Sequence, residues 1–141
     1  MNPIQLFSLT NAISLLAWIF LLLTLGKNYD QYLIGIIVTG LCMVYSILIF
    51  THFSFSNFKD FGTLAGIKSL FQSDYVVLAG WVHYLAFDLM TGIFIKNNAQ
   101  KHHIPMGWII PSLIFTFLLG PFGLLTYFLV RRIKTGLNFT D

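Results

Sequence analysis

Long apolar runs separated by short polar segments dominate the chain. Four runs are long enough for a helix of about 20 residues to cross the hydrocarbon of a membrane. They cover roughly residues 4–26, 33–50, 76–95 and 107–130. None alternates strictly between apolar and polar positions, and only helices or closed barrels satisfy every backbone polar group in lipid. The pattern predicts an all-α integral membrane protein, a bundle of four transmembrane helices in one domain over residues 1–141.

The segment between the second and third runs, Thr51–Asp74, has its own helical pattern. Apolar residues recur at helical spacing at Phe58, Phe61, Leu64, Ala65 and Phe71. Lys59 and Lys68 can reach the lipid head groups, and Ser56 or Asn57 can cap the start. This predicts a short interfacial helix between spans 2 and 3. A re-entrant flap bending at its two glycines and a plain aromatic anchor are the alternatives.

Charge is scarce and lies at the ends of the runs. Charged residues make up 9% of the chain, whereas a soluble domain carries about 25%. The net charge of +3 is too small to indicate nucleic-acid binding. With four spans, the two termini and the segment 51–74 share one side, which then holds Lys59, Lys68, Arg131, Arg132 and Lys134. The other side holds Lys27, Lys96 and Lys101, so both termini are predicted to be cytoplasmic.

Asp88 is the only carboxylate inside the four apolar runs. A charged residue at the centre of a membrane helix costs about 2.5–3.5 kcal/mol, and such residues usually face a bundle interior and serve function. Tyr84 lies four residues earlier on the same helix face. His83 lies about 140° around the helix, so it cannot pair with Asp88 on a straight helix. Because burial favours the neutral acid, Asp88 is expected to donate a proton, either in acid–base catalysis or in a proton-coupled carrier.

Polar residues in the other runs form stripes that indicate a shared interior. The stripes contain Ser8, Asn11, Ser14 and Trp18 in the first run, Thr39, Cys42 and Ser46 beside Tyr45 in the second, and Ser112 and Thr116 in the fourth. Most serines and threonines in spans only join helices, while Asn11 is expected to hydrogen-bond Asp88 or His83. Pro111 and Gly120-Pro121 predict kinks in the fourth run. Cys42 is alone, and His83 and Asp88 lack the i, i+4 spacing of paired ligands, so no metal or cofactor is predicted.

The stretch Gly80-Trp81-Val82-His83-Tyr84-Leu85-Ala86-Phe87-Asp88-Leu89, followed by Gly92, resembles the signature of the abscisic-acid-deficient-type, neoxanthin-synthase-like membrane proteins. Further matches in chain order are Asn11, Trp18, Tyr45, Leu70-Phe71, Ile104-Pro105, Pro111 and Gly120-Pro121-Phe122-Gly123-Leu124-Leu125. The plant members are implicated in converting violaxanthin into neoxanthin, an isomerisation in which an epoxide opens and an allene forms. The chain is more compact than the plant pattern and resembles a bacterial member, which implies a bacterial inner membrane.

The resemblance implies an isomerase-like protein acting on a carotenoid or related isoprenoid that enters from the bilayer. Under this hypothesis the acid–base residues are Asp88, His83 and Tyr84, and the candidate substrate-binding residues are Asn11, Trp18, Tyr45, Trp81, Pro111 and Thr116. A carotenoid is about as long as the hydrocarbon is thick, about 30 Å, so a groove or a homodimer interface would have to hold it. Two alternatives stay open: a non-enzymatic carotenoid- or lipid-binding accessory protein, and a small proton-coupled carrier.

Overall fold

The structure, a computed structural model, describes residues 1–25, 27, 30–53 and 55–136, with the backbone alone at residues 30 and 55–58. The described part is helical and contains no strand, as the sequence predicts. The helices are α1 (Pro3–Leu23), α2 (Asp30–His52), a 3-10 helix (Phe55–Gly62), α3 (Leu64–Leu70), α4 (Asp74–Lys101), α5 (Met106–Leu119) and α6 (Pro121–Thr135).

Three of these helices are long and apolar enough to cross a membrane within the described ranges. They are α1, α2 over Gln31–His52, and α4. The start of α1 is fixed by a capping box, in which the Asn2 side chain accepts from the Gln5 N–H at 2.8 Å. The chain is therefore an all-α membrane protein, and the first three apolar runs correspond to its three long helices.

The predicted fourth transmembrane helix, residues 107–130, is not confirmed. Its backbone turns at Gly120, which has a φ of +46° that favours glycine. Pro121 then begins a new helix, where its missing N–H is tolerated. The preceding helix, α5, has 14 residues and is about 21 Å long at 1.5 Å per residue. That is shorter than the hydrocarbon thickness of about 30 Å.

Helix α6 folds back along α5 to form a hairpin. A Cβ atom built on Gly123 would lie 2.1 Å from the backbone nitrogen of Thr116, so the two helices nearly touch beside the turn. At the other end, the Lys134 Nζ lies 3.5 Å from the centre of the Trp108 ring. These contacts show that the two helices run antiparallel. The α5–α6 hairpin therefore has its tip at Gly120 and both of its open ends at the same end of the bundle.

The hairpin lies beside the second half of α4. The Tyr127 hydroxyl donates to the Asn98 Oδ1 at 2.6 Å, and the Arg131 guanidinium contacts the His102 Nε2 at 3.2 Å. The end of α6 thus lies near the end of α4, whereas the start of α1 lies near the start of α4, where Pro3 and Asp74 line one hollow. The two ends of the described chain are at opposite ends of the bundle. The prediction that both termini share a side depended on four spans, and the hairpin removes that premise.

Helix α4 is the centre of the packing and contacts α1, α2, α5 and α6. Its Gly92 lets the Trp18 ring approach closely, since a Cβ there would lie 2.7 Å from that ring. The main buried cluster joins Leu21, Leu89 and Leu113 from three different helices. Many large apolar side chains outside this core remain exposed, as is expected where lipid is the solvent.

A short helical segment between α2 and α4 is present as predicted, in two pieces. The 3-10 helix ends at Gly62, and Thr63 caps α3 by accepting from the Gly66 N–H at 3.0 Å. The predicted caps Ser56 and Asn57, like the side chain of Phe58, lie outside the described residues. The interfacial position of these helices stays a prediction.

We expect Gly123→Ala to destabilise the hairpin, because the new methyl group would overlap the Thr116 backbone. Overpacking of this kind costs about 1–3 kcal/mol. The check is the thermal unfolding midpoint in detergent, which should fall. Gly107→Ala is the matched control, since a Cβ there meets nothing within 4 Å and alanine favours the helix. Equal midpoints for Gly123→Ala and wild type would contradict the close crossing of α5 and α6.

Candidate functional site

Asp88 lies near the middle of α4, beneath the tip of the hairpin. It is 7% exposed. A Cβ atom on Gly120 would lie 2.6 Å from the Asp88 Oδ1, so the carboxyl group rests directly against the backbone of the turn. The Asp88 Oδ2 is buried and has no hydrogen-bond partner among the described residues. A buried polar atom of this kind needs a specific explanation, either functional or structural.

Tyr84 joins Asp88 to the hairpin tip. It lies one helical turn before Asp88 on α4, and its hydroxyl group faces the carboxyl group. The same hydroxyl is 3.5 Å from the Phe117 carbonyl oxygen of α5, a long contact. The predicted i, i+4 pair is therefore brought together, and both members touch the turn. A phenol and a carboxyl group in contact can share or pass a proton.

A groove between α1 and α4 starts beside the hairpin tip and runs toward the start of α4. The part nearest the tip is a cavity of about 400 Å³, bounded by Asn11, Ser14, Tyr84 and Phe117 among others. A second hollow of about 350 Å³ continues toward Pro3 and Asp74, and Trp81 lines both. We call this combined feature the α1–α4 groove. Trp81 and Leu118 are exposed on its rim, so the groove opens sideways, toward lipid in a membrane.

Helix α1 supplies two polar side chains, Asn11 and Ser14, to the α1–α4 groove. The Trp81 Nε1–H donates to the Asn11 Oδ1 at 2.7 Å. The sequence predicted that Asn11 would bond Asp88 or His83, and this pairing is corrected because Asn11 lies at the level of Trp81, about two turns before Asp88. Ser14 is buried on the same wall, and its hydroxyl has no partner among the described residues.

His83 faces a different cavity. This cavity of about 320 Å³ lies between α2, α4 and the short helices, and Tyr45 lines it too. The His83 ring stacks on Phe87 with centroids 4.4 Å apart and lies 5.5 Å from the Tyr45 ring. The structure thus does not bring His83 to Asp88, in agreement with the helical geometry of residues 83 and 88.

Comparison with known families bears directly on these residues. The family model described as ABA DEFICIENT 4-like matches residues 5–127. The chain belongs to this family. No curated protein and no solved structure matches it. The matched region of this ABA DEFICIENT 4-like protein includes Asp88, Tyr84, the α1–α4 groove from residue 5 onward and the hairpin tip.

The remaining predicted site residues support the tip or lie away from the groove. Trp18 is buried, and its ring is 5.6 Å from that of Phe117. Thr116 is buried and donates to the Ser112 carbonyl at 2.8 Å. Pro111 is exposed within α5. In this ABA DEFICIENT 4-like protein, Trp18 and Thr116 therefore hold the hairpin in place instead of lining the groove.

Two basic residues that the sequence pattern placed at the ends of spans are buried in the structure, Lys96 and Arg131. Lys96 is fully buried, and its Nζ donates to the Lys27 carbonyl at 2.5 Å. Arg131 is buried against His102. Desolvation, followed by the charges of Arg131 and Lys101, lowers the pKa of His102, which suits an imidazole that accepts from a guanidinium. The spacing of Lys96 four residues after the buried Gly92 was an available signal for its burial.

We expect Asn11 and Trp81 to be energetically coupled in this ABA DEFICIENT 4-like protein, because they share a hydrogen bond facing lipid. Asn11→Leu and Trp81→Phe, alone and together, form a double-mutant cycle for the free energy of unfolding. The coupling energy should be about 0.6 kcal/mol and at most about 1.7 kcal/mol, the range for such bonds in membranes. Strictly additive effects of the two substitutions would count against the bond.

Proposed function

We propose that this protein is a membrane-embedded, isomerase-like enzyme that acts on an oxygenated isoprenoid of the carotenoid type. The observation that carries the proposal is the buried Asp88 carboxyl group, which faces the hydroxyl of Tyr84, a residue that lines a groove open to lipid. Membership of the ABA DEFICIENT 4-like family supports the substrate class. The groove gives a lipid-soluble molecule a sideways route from the bilayer to Tyr84, whose hydroxyl faces the carboxyl group.

In the proposed reaction Asp88 is both acid and base. It protonates the oxygen of a ring epoxide as the carbon–oxygen bond breaks, which leaves a hydroxyl group on the product. The Asp88 carboxylate then takes a proton from a neighbouring carbon, and the electron pair of that carbon–hydrogen bond forms the new double bond of the allene. Asp88 gives one proton to the substrate and takes one proton from it. The product is therefore an isomer of the substrate, and the carboxyl group is restored.

Other groove residues are assigned to binding. The Tyr84 hydroxyl faces Asp88 and would orient its proton toward the substrate oxygen. The buried hydroxyl of Ser14 can hydrogen-bond an oxygen on the substrate, and Trp81, held by Asn11, offers a flat apolar wall. His83 is left out of the chemistry because it faces the other cavity.

The groove is shorter than a long polyene. The part of α4 from Asp74 to Asp88 is about 21 Å long, whereas a carotenoid is about as long as the hydrocarbon thickness of about 30 Å. We propose that one end of the substrate occupies the groove while the rest remains among the lipids. A second copy of the chain is the alternative cover for the open side.

We expect Asp88→Asn to lower product formation by about 100- to 10,000-fold, the usual contribution of a positioned acid or base. Bound isoprenoid should be retained, because the amide has the shape of the carboxyl group. The measurement is mass spectrometry of lipids extracted from the purified protein in a carotenoid-producing host, with substrate and product quantified separately. Asp60→Asn is the matched control, since that carboxylate lies in the 3-10 helix and lines neither part of the α1–α4 groove. An unchanged product ratio in Asp88→Asn would refute the acid–base role.

The second candidate function is a non-enzymatic isoprenoid-binding accessory protein. It is favoured by one feature of the site: Asp88 is the only acid beside Tyr84 and the hairpin tip among the described residues. One carboxyl group suffices to bind an oxygenated end group without chemistry. Under this function, Asp88→Asn would lower the amount of bound isoprenoid and leave the chemical form of that isoprenoid unchanged.

We further propose that the protein lies in a bacterial inner membrane with the end of α6 in the cytoplasm. The end of the bundle that contains the end of α6 carries six cations, Lys27, Lys96, Lys101, Arg131, Arg132 and Lys134, and the opposite end carries Lys59 and Lys68. Cytoplasmic segments are the ones enriched in lysine and arginine. The start of α1 would then face the other side.

Green fluorescent protein, which does not become fluorescent when exported unfolded across the inner membrane, can test this orientation. We expect fluorescence from a fusion at the C-terminus and none from a fusion at the N-terminus. Alkaline phosphatase, active only after export, should give the reverse pattern. Fluorescence from both green fluorescent protein fusions would restore the four-span topology with both termini cytoplasmic.

A further inference from the structure

The cavity that contains His83 lies on a different side of α4 from Asp88. Its volume of about 320 Å³ falls within the range of about 300–1,000 Å³ for small-molecule sites. The lining residues that the structure describes are apolar except for His83 and Tyr45. A molecule bound there could not reach Asp88, so this cavity is independent of the function proposed above.

Aromatic contacts hold this cavity in a preformed shape. Gly80 lets the Phe71 ring lie over α4, since a Cβ there would be 3.1 Å from that ring. His52 and Tyr75 stack with ring centroids 3.8 Å apart and tie the end of α2 to the start of α4. These contacts fix the position of the short helices over the cavity. A preformed apolar site needs little reorganisation to bind a ligand.

His83 provides a polar group on the wall that α4 contributes to this otherwise apolar cavity. Its ring is held in one plane by stacking on Phe87, with an interplanar angle of 19°, and by the neighbouring Tyr45 ring. Its nitrogens make no hydrogen bond within the part of the chain that the structure describes. An imidazole kept in lipid without a partner is costly, and a ligand that carries one oxygen would remove that cost.

We propose that this cavity binds the cyclic end group of a lipid-soluble molecule, with one hydroxyl or carbonyl oxygen of that ring hydrogen-bonded to His83. A straight acyl chain would leave the imidazole unpaired and would match the flat aromatic walls poorly. A charged head group would find no opposite charge among the described residues, because none of those that line the cavity carries a carboxylate, lysine or arginine. The ligand class is therefore a neutral, singly oxygenated ring.

Menthol and p-menthane are suitable probes because they share one cyclic isoprenoid skeleton and differ in one hydroxyl group. The full chain, labelled with ¹⁵N-histidine, is placed in phosphatidylcholine nanodiscs. We expect menthol to shift the His83 imidazole resonances saturably and to raise the unfolding midpoint. The affinity for p-menthane should be about 3- to 10-fold lower, as expected for the loss of one hydrogen bond.

Three variants locate the site. Gly80→Leu should fill the cavity and abolish the menthol-dependent rise of the midpoint, whereas Gly40→Leu, at an exposed position with nothing within 4 Å, should leave it intact. His83→Phe keeps the ring stack and should lower menthol affinity to that of p-menthane. Because this variant is nearly isosteric, it tests the proposal even where Gly80→Leu does not fold.

Two results would overturn this proposal. One is a shift that grows linearly with menthol concentration, which indicates partition into lipid. The other is an unchanged affinity in both Gly80→Leu and His83→Phe, which would place menthol elsewhere. Asp88→Asn should bind menthol normally, so failure of the enzyme hypothesis and failure of this site give different patterns across the variants.

Discussion

The reversal of the backbone at Gly120-Pro121, inside the bundle, is the constraint on which the rest of the structure depends. Lipid supplies no hydrogen bonds to a broken helix, so a turn at this depth is tolerated only where protein or a wet cavity surrounds it. Here Tyr84 and Trp18 contact Phe117, three residues before the turn. The Gly120 N–H is satisfied by the Thr116 carbonyl at 2.9 Å, and the Asp88 carboxyl group lies against Gly120. The turn and the carboxyl group are therefore in contact, and each shields the other from lipid.

Two separate cavities form because the hairpin is short and because α4 lies at the centre of the bundle. The hairpin reaches α4 at Tyr84 and Asp88. The part of the α1–α4 contact that lies nearer the start of both helices is left as the groove. On another side of α4, Gly80 admits Phe71 and the short helices close over His83. Adjacent residues His83 and Tyr84 thus serve different cavities, because neighbouring positions on a helix point about 100° apart.

The sequence predicted the fold as far as hydropathy and single-helix geometry reach. Apolar length identified α1, α2 and α4, and the i, i+4 rule paired Tyr84 with Asp88. Hydropathy could not identify the hairpin, since 14 and 15 apolar-rich residues that double back have the same composition as one long helix. Gly120-Pro121 was interpreted as a kink, and only the positive φ of Gly120 turns it into a reversal. The Asn11–Trp81 bond depends on the register of α1 against α4, which no periodicity within one helix contains.

The hairpin also explains how a carboxyl group can be held in the middle of a membrane-spanning helix. A carboxyl group facing lipid would be unstable, and one sealed in a full four-span bundle would be inaccessible to a lipid substrate. Here the tip lies against Asp88, while the neighbouring groove, lined by Ser14 and Tyr84, ends one helical turn before the carboxyl group. The two glycines that permit this, Gly120 at the turn and Gly123 at the Thr116 crossing, leave no room for a side chain. Under the proposed function, the geometry of the turn, more than the identity of the acid alone, therefore determines whether a substrate can meet Asp88.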